Sequence, residues 1–102
     1  MATLDEQIAE IQGGTPEGWM WRVFVEWEFG IPSTNVVLKR PEWYRFGKFS
    51  KSRWIRERDT AEDFTKDVVE MALAIVEDIA RRAATPDWAK LAEQLQEALN
   101  AK

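Results

Sequence analysis

The sequence predicts an α+β domain: an antiparallel sheet of three to four strands, packed on one face by helices, in the order α-β-β-β(-β)-α-α. Three patterns carry that prediction. Residues 19–29 alternate bulky apolar with mostly charged positions, the period of a strand wetted on one side. Residues 61–79 repeat apolar side chains at three- and four-residue spacing, the period of a helix. Around them, glycine, proline and serine divide the chain into short elements. A length of 102 residues suits one domain with one core.

The first element opens at Thr3, which with Glu6 forms a capping-box pattern. Leu4, Ile8 and Ile11 make one narrow apolar stripe, and Gly13 and Gly14 stop the helix. A helix this short needs a larger surface to dock on. Residues 15–18 read as a turn. In the strand over 19–29, Trp21, Val23, Val25, Trp27 and Phe29 share one side. Arg22, Phe24, Glu26 and Glu28 share the other. The apolar side, with Trp21 and Trp27, is the expected floor for the main helix.

Gly30, Ile31, Pro32 and Ser33 are expected to break the strand as an irregular hairpin loop. A second strand over 35–40 ends at Pro41. A third is expected over 43–49 with Gly47 as a bend, then a turn over 49–52. Residues 53–57 read as a short fourth strand or an extended lead-in. Asp59 or Thr60 caps the main helix, which runs to about residue 84. Acids fill its first turn and Arg81 and Arg82 its last, which suits the helix dipole. Ala61, Phe64, Val68, Met71, Ala72, Ile75, Val76 and Ile79 cover nearly half its circumference, with Val69, Leu73 and Ala80 at the margins. An arc that wide can touch both a sheet and another helix. Thr85 and Pro86 start a final helix, whose stripe is Trp88, Leu91, Ala92, Leu95 and Leu99. The α-β-β-β-α order resembles that of double-stranded-RNA-binding domains. That family needs bases near the start of its last core helix, where this chain has Glu62, Asp63 and Asp67, so the family is not assigned.

Composition narrows the chemistry. The chain has no cysteine and no histidine, so there is no disulfide, no thiolate nucleophile, and neither the commonest general base nor the commonest metal ligand. No cofactor and no metal are expected. No apolar run reaches the ~18–20 residues of a membrane span. The N-terminus lacks the pattern of a signal peptide. A cytoplasmic setting and no membrane contact are expected. Ser33, Ser50 and Ser52 have no base to activate them. Glu26 and Glu28 share a strand face, as some acid–base or metal sites do; a charge-balanced wet face explains them better. Asp63, Asp67 and Glu70 at i, i+4, i+7 lack any calcium-loop motif. No enzyme is expected.

The charge distribution is uneven. Net charge is −4, yet residues 39–58 hold eight of the fourteen basic residues, two acids and five aromatics. Trp43, Tyr44, Arg45, Lys48, Lys51, Arg53, Trp54 and Arg56 are therefore the expected partner-binding residues. Tryptophan, tyrosine and arginine are the types enriched at binding hot spots. The expected function is a small binding or regulatory module that docks on a protein through this basic-aromatic strand surface. The same surface could hold single-stranded nucleic acid, with arginines on phosphates and rings on bases. A third reading uses the acidic helix face of Glu62, Asp63, Asp67, Glu70, Glu77 and Asp78. It resembles, in size and charge only, phage inhibitors of host nucleic-acid-binding complexes. Opposite charge on strands and helix also allows a homo-oligomer.

Overall fold

The computed structural model describes residues 3–44, 49–83 and 85–101. It contains α1 (Leu4–Gly13), β1 (Met20–Glu28), β2 (Ile31–Lys39), β3 (Phe49–Trp54), α2 (Ala61–Ala83) and α3 (Pro86–Asn100). The α+β class and the element order agree with the sequence. Thr3 caps α1 by accepting from the Glu6 N–H at 3.2 Å. At α2 the cap is Thr60. Its hydroxyl accepts from the Asp63 N–H at 3.2 Å, and its own N–H donates back to the Asp63 carboxylate at 3.0 Å, a reciprocal capping box. Asp59 instead accepts from Arg56.

The strands run in the order β1-β2-β3, each pair antiparallel. Three sequence expectations are corrected here. Ile31, Pro32 and Ser33 are not a loop. β1 and β2 meet at a two-residue turn, Phe29–Gly30, and pair from Glu28↔Ile31 through Met20↔Lys39. Pro32 is tolerated because its missing N–H lies on the β3 side, where its carbonyl accepts from Ile55; the ladder to β1 loses nothing. Residues 49–52 are not a turn but the first part of β3, with Phe49 opposite Leu38 and Ser52 opposite Asn35. Their polarity suits an edge strand, and that is what disguised them. Trp43 lies in a turn closed by Tyr44 N–H donating to the Pro41 carbonyl. The remainder of the expected strand over 43–49 falls on residues 45–48, outside the described residues. Arg53 and Trp54 finish β3, so the described residues hold no fourth strand.

Cross-strand partners share a face. The rows Trp21–Leu38–Phe49, Val23–Val36–Lys51 and Val25–Thr34–Arg53 therefore point to the inner side. There α2 packs on β2 and β3, α1 on β1, and α3 on α2. The core is Trp21, Val36 and Leu38 from the sheet, Val68, Ala72, Ile75, Val76 and Ile79 from α2, Ile11 from α1, and Trp88, Leu91 and Leu95 from α3. The wide arc of α2 thus meets two layers.

Trp27 is not part of that floor. It is 71% exposed and Val25 45% exposed. A ten-residue helix is about 15 Å long, whereas a nine-residue strand is about 30 Å. α1 covers the first half of β1, α2 lies over β2 and β3, and the far end of the hairpin projects past both.

Candidate functional site

The expected basic-aromatic surface divides into separate places. Tyr44 turns inward: its ring lies 4.9 Å from Trp19 and 6.2 Å from Phe49, packed against the core. Trp43 meets it edge-on at 6.1 Å and is 72% exposed, beside the start of β1. Trp54 is 53% exposed on the outer face, opposite Ser33 at the other end of the sheet. Arg45 and Lys48 lie outside the described residues.

Arg53 and Arg56 are engaged within the chain. Arg53, on the inner face, donates to Asp67 at 2.6 Å and to Glu70 at 2.9 Å. These bonds, Glu70's first, hold its guanidinium pKa above the ordinary value against the opposing effect of burial. Arg56 pairs with Asp59. Lys51 points to the helix side, close enough to act on the Asp78 carboxyl. That carboxyl is held below its ordinary range, chiefly by the hydrogen bond from Arg81.

The acidic helix face is correspondingly occupied. Asp63 serves the cap, Asp67 and Glu70 clasp Arg53, Lys66 stands 3.9 Å from Glu70, and Asp78 takes Arg81 and Arg82. Glu62 and Glu77 are exposed. Among the described residues no group of three or more acids is placed to hold a metal ion. No helix there is long and apolar enough to cross a membrane.

A further exposed apolar surface lies elsewhere. Among the described residues no helix covers the outer face. Its rows are Met20–Lys39, Arg22–Val37–Ser50, Phe24–Asn35–Ser52, Glu26–Ser33–Trp54 and Glu28–Ile31. Met20, Ile31 and Trp54 are each about half exposed or more. Ile31 and Trp54 are diagonal neighbours across β2 and β3, about 7–8 Å apart in such ladders. The Arg22 guanidinium lies 5.1 Å from the Phe24 ring centre. The basic-aromatic segment includes Trp54 but not Ile31, which the sequence pattern places in a loop.

At the tip, Phe29 is 94% exposed and has φ 54°, followed by Gly30 at φ 76°. This is the left-handed pair of a tight hairpin turn, for which Asn-Gly is preferred. A bulky aromatic there is costly both in backbone and in hydration. Phe29→Asn is expected to stabilise the chain by about 1 kcal/mol, raising the thermal midpoint by roughly 4–8 °C. An unchanged or lower midpoint in a melting curve would contradict that conformation.

No family model, curated protein or solved structure matches this chain.

Proposed function

We propose that the chain is a protein-binding module that docks through the open outer face of its sheet, with Ile31 and Trp54 as apolar anchors. The observation that carries this reading is the placement of every described helix on the inner side, while Met20, Ile31 and Trp54 remain exposed on the other. Exposed apolar area gathered on one sheet face and rimmed by charge is the composition of a docking site. Glu26 and Glu28, opposite Ser33 and Ile31, supply charge at that edge. The reading keeps Trp54 from the basic-aromatic segment and moves the centre of the site toward β2. Nucleic-acid binding draws less support, because Arg53 and Arg56 already have carboxylate partners.

The test is a capture experiment with the immobilised chain and with an Ile31→Ser/Trp54→Ser variant of the same fold. A discrete protein should be retained by the unaltered chain, should persist when salt is raised, and should be lost from the variant. Retention of the same proteins by the variant would refute the outer-face site. Retention that washes away with salt and is displaced by a single-stranded oligonucleotide would favour the nucleic-acid reading.

A further inference from the structure

We propose that β1 is a self-pairing edge: two copies join their β1 strands antiparallel about a two-fold axis at Val25, forming one sheet that runs through both. This goes beyond the docking role of the outer face and does not rest on it.

β1 is an edge strand of its sheet, with β3 at the other edge. The direction of its backbone groups follows from one contact. The Trp21 N–H points away from β2 and donates to the Gln12 side-chain oxygen at 2.9 Å, while the Gln12 amide donates to the Trp19 carbonyl at 2.8 Å. Backbone groups alternate in direction along a strand. Residues 21, 23, 25 and 27 therefore direct N–H and C=O to the free edge, and the even-numbered residues direct theirs to β2. Gln12 occupies the edge at Trp21. Val23, Val25 and Trp27 remain, and their midpoint is Val25. Three of the usual guards against edge pairing are missing: β1 contains no proline and no lysine, and its ladder to β2 runs without a bulge.

A two-fold axis at Val25 sets Val25 opposite the second copy's Val25, and Val23 opposite the second copy's Trp27. Each opposed pair exchanges both of its backbone hydrogen bonds. On the inner face this places apolar neighbours beside Val25 and Trp27, which are otherwise 45% and 71% exposed. On the outer face it sets Arg22 opposite the second copy's Glu28, and by symmetry Glu28 opposite the second copy's Arg22. Neither residue has an ion-pair partner among the described residues.

Neighbouring registers are worse. Centring the axis on Phe24 requires the Trp21 N–H, which Gln12 already holds. Centring it on Glu26 sets that carboxylate against its own copy, a destabilising like-charge pair. Because the axis is normal to the sheet, both helix layers lie on the same side and the outer faces form one continuous surface.

The experiment is sedimentation velocity of the full chain from low to high micromolar concentration, with the fold of each variant monitored by far-ultraviolet circular dichroism. The expected species is a dimer of about twice 11.9 kDa in reversible exchange with monomer. Val25→Pro removes an N–H directed at the edge and none from the β1–β2 ladder, so it should give a folded monomer. Arg22→Glu and Glu28→Arg should each weaken association by roughly tenfold or more, since both symmetric pairs turn from attraction to repulsion. The double exchange, Arg22→Glu with Glu28→Arg, should restore it. A chain that stays monomeric at about 100 μM overturns the proposal. So does a dimer that survives Val25→Pro, or a double exchange that fails to rescue. Ile31→Ser/Trp54→Ser should leave the dimer intact, which separates this surface from the docking face.

Discussion

Replacing Trp19 by alanine is expected to cost about 3–5 kcal/mol, the usual loss when a large buried aromatic is truncated. Trp19 is 3% exposed and stands between elements distant in sequence. Its ring lies 4.9 Å from Tyr44, 5.9 Å from Phe49 and 5.1 Å, edge-on, from Trp88. One side chain thus ties the entry to β1 to the β2–β3 connection, to the start of β3 and to α3. Truncation removes the shared partner of all three rings. Domains of this size have total stabilities of about 5–15 kcal/mol, so the loss is a large fraction of the whole. The thermal midpoint should fall by on the order of 15–30 °C. Trp43→Ala is the matched control, because among the described residues the one ring Trp43 meets is Tyr44, and Trp43 is mostly solvated. Its effect on the melting curve should be small. Equal losses from the two tryptophans would mean that the cluster does not hold these elements together.

The same cluster explains why residues 39–58 were only partly legible in the sequence. Aromatic and basic residues alternate there without a clean apolar side, which suggests an exposed surface. The structure divides them by role. Tyr44 and Phe49 are drawn inward by Trp19, a residue twenty-five positions before Tyr44. Arg53 is drawn inward by Asp67 and Glu70, on a helix that reads on its own as an acidic solvent face. Periodicity reports which residues of one element share a side; it carries no information about which opposite charges of two elements meet. α2 was legible because its signal is local and long, and so was the cap at Thr3; at α2 the sequence left Asp59 and Thr60 as alternatives, and the structure uses Thr60. The alternation of β1 was legible too, but not how far the helix layer would reach along it. Whether Trp27 is core or surface depends on the length of α1 relative to β1, a comparison between elements and not a property of the strand. The turn at Phe29–Gly30 was hidden because phenylalanine is an unfavourable residue at a left-handed position, so the sequence lacked the usual hairpin signal.

Gln12→Ala should cost about 2–3 kcal/mol, a large effect for a polar side chain that touches no ligand. Gln12 imitates a neighbouring strand. Its oxygen accepts from the Trp21 N–H and its nitrogen donates to the Trp19 carbonyl, so α1 is attached to the edge of β1 by a side chain in place of a backbone. Beside it, the Trp21 indole N–H donates to the Thr15 hydroxyl at 2.7 Å, and that hydroxyl donates to the Ile11 carbonyl at 2.6 Å. The apolar stripe of α1 is narrow, and only Ile11 of the helix is fully buried. These polar contacts therefore hold the helix in place to an unusual degree. Alanine at position 12 leaves a donor and an acceptor, both beside buried rings, without partners, and each such loss costs about 1–3 kcal/mol before relaxation. Hydrogen exchange distinguishes this mechanism from a general loss of stability. The Trp21 amide should exchange much faster in the variant, while the Arg22 amide, directed at β2, should keep its protection up to the global limit. Gln12→Glu retains the acceptor and removes the donor, so the Trp21 amide should stay protected in that variant while the chain still loses stability. If the Trp21 and Arg22 amides accelerate together in Gln12→Ala, α1 is not fastened through this side chain.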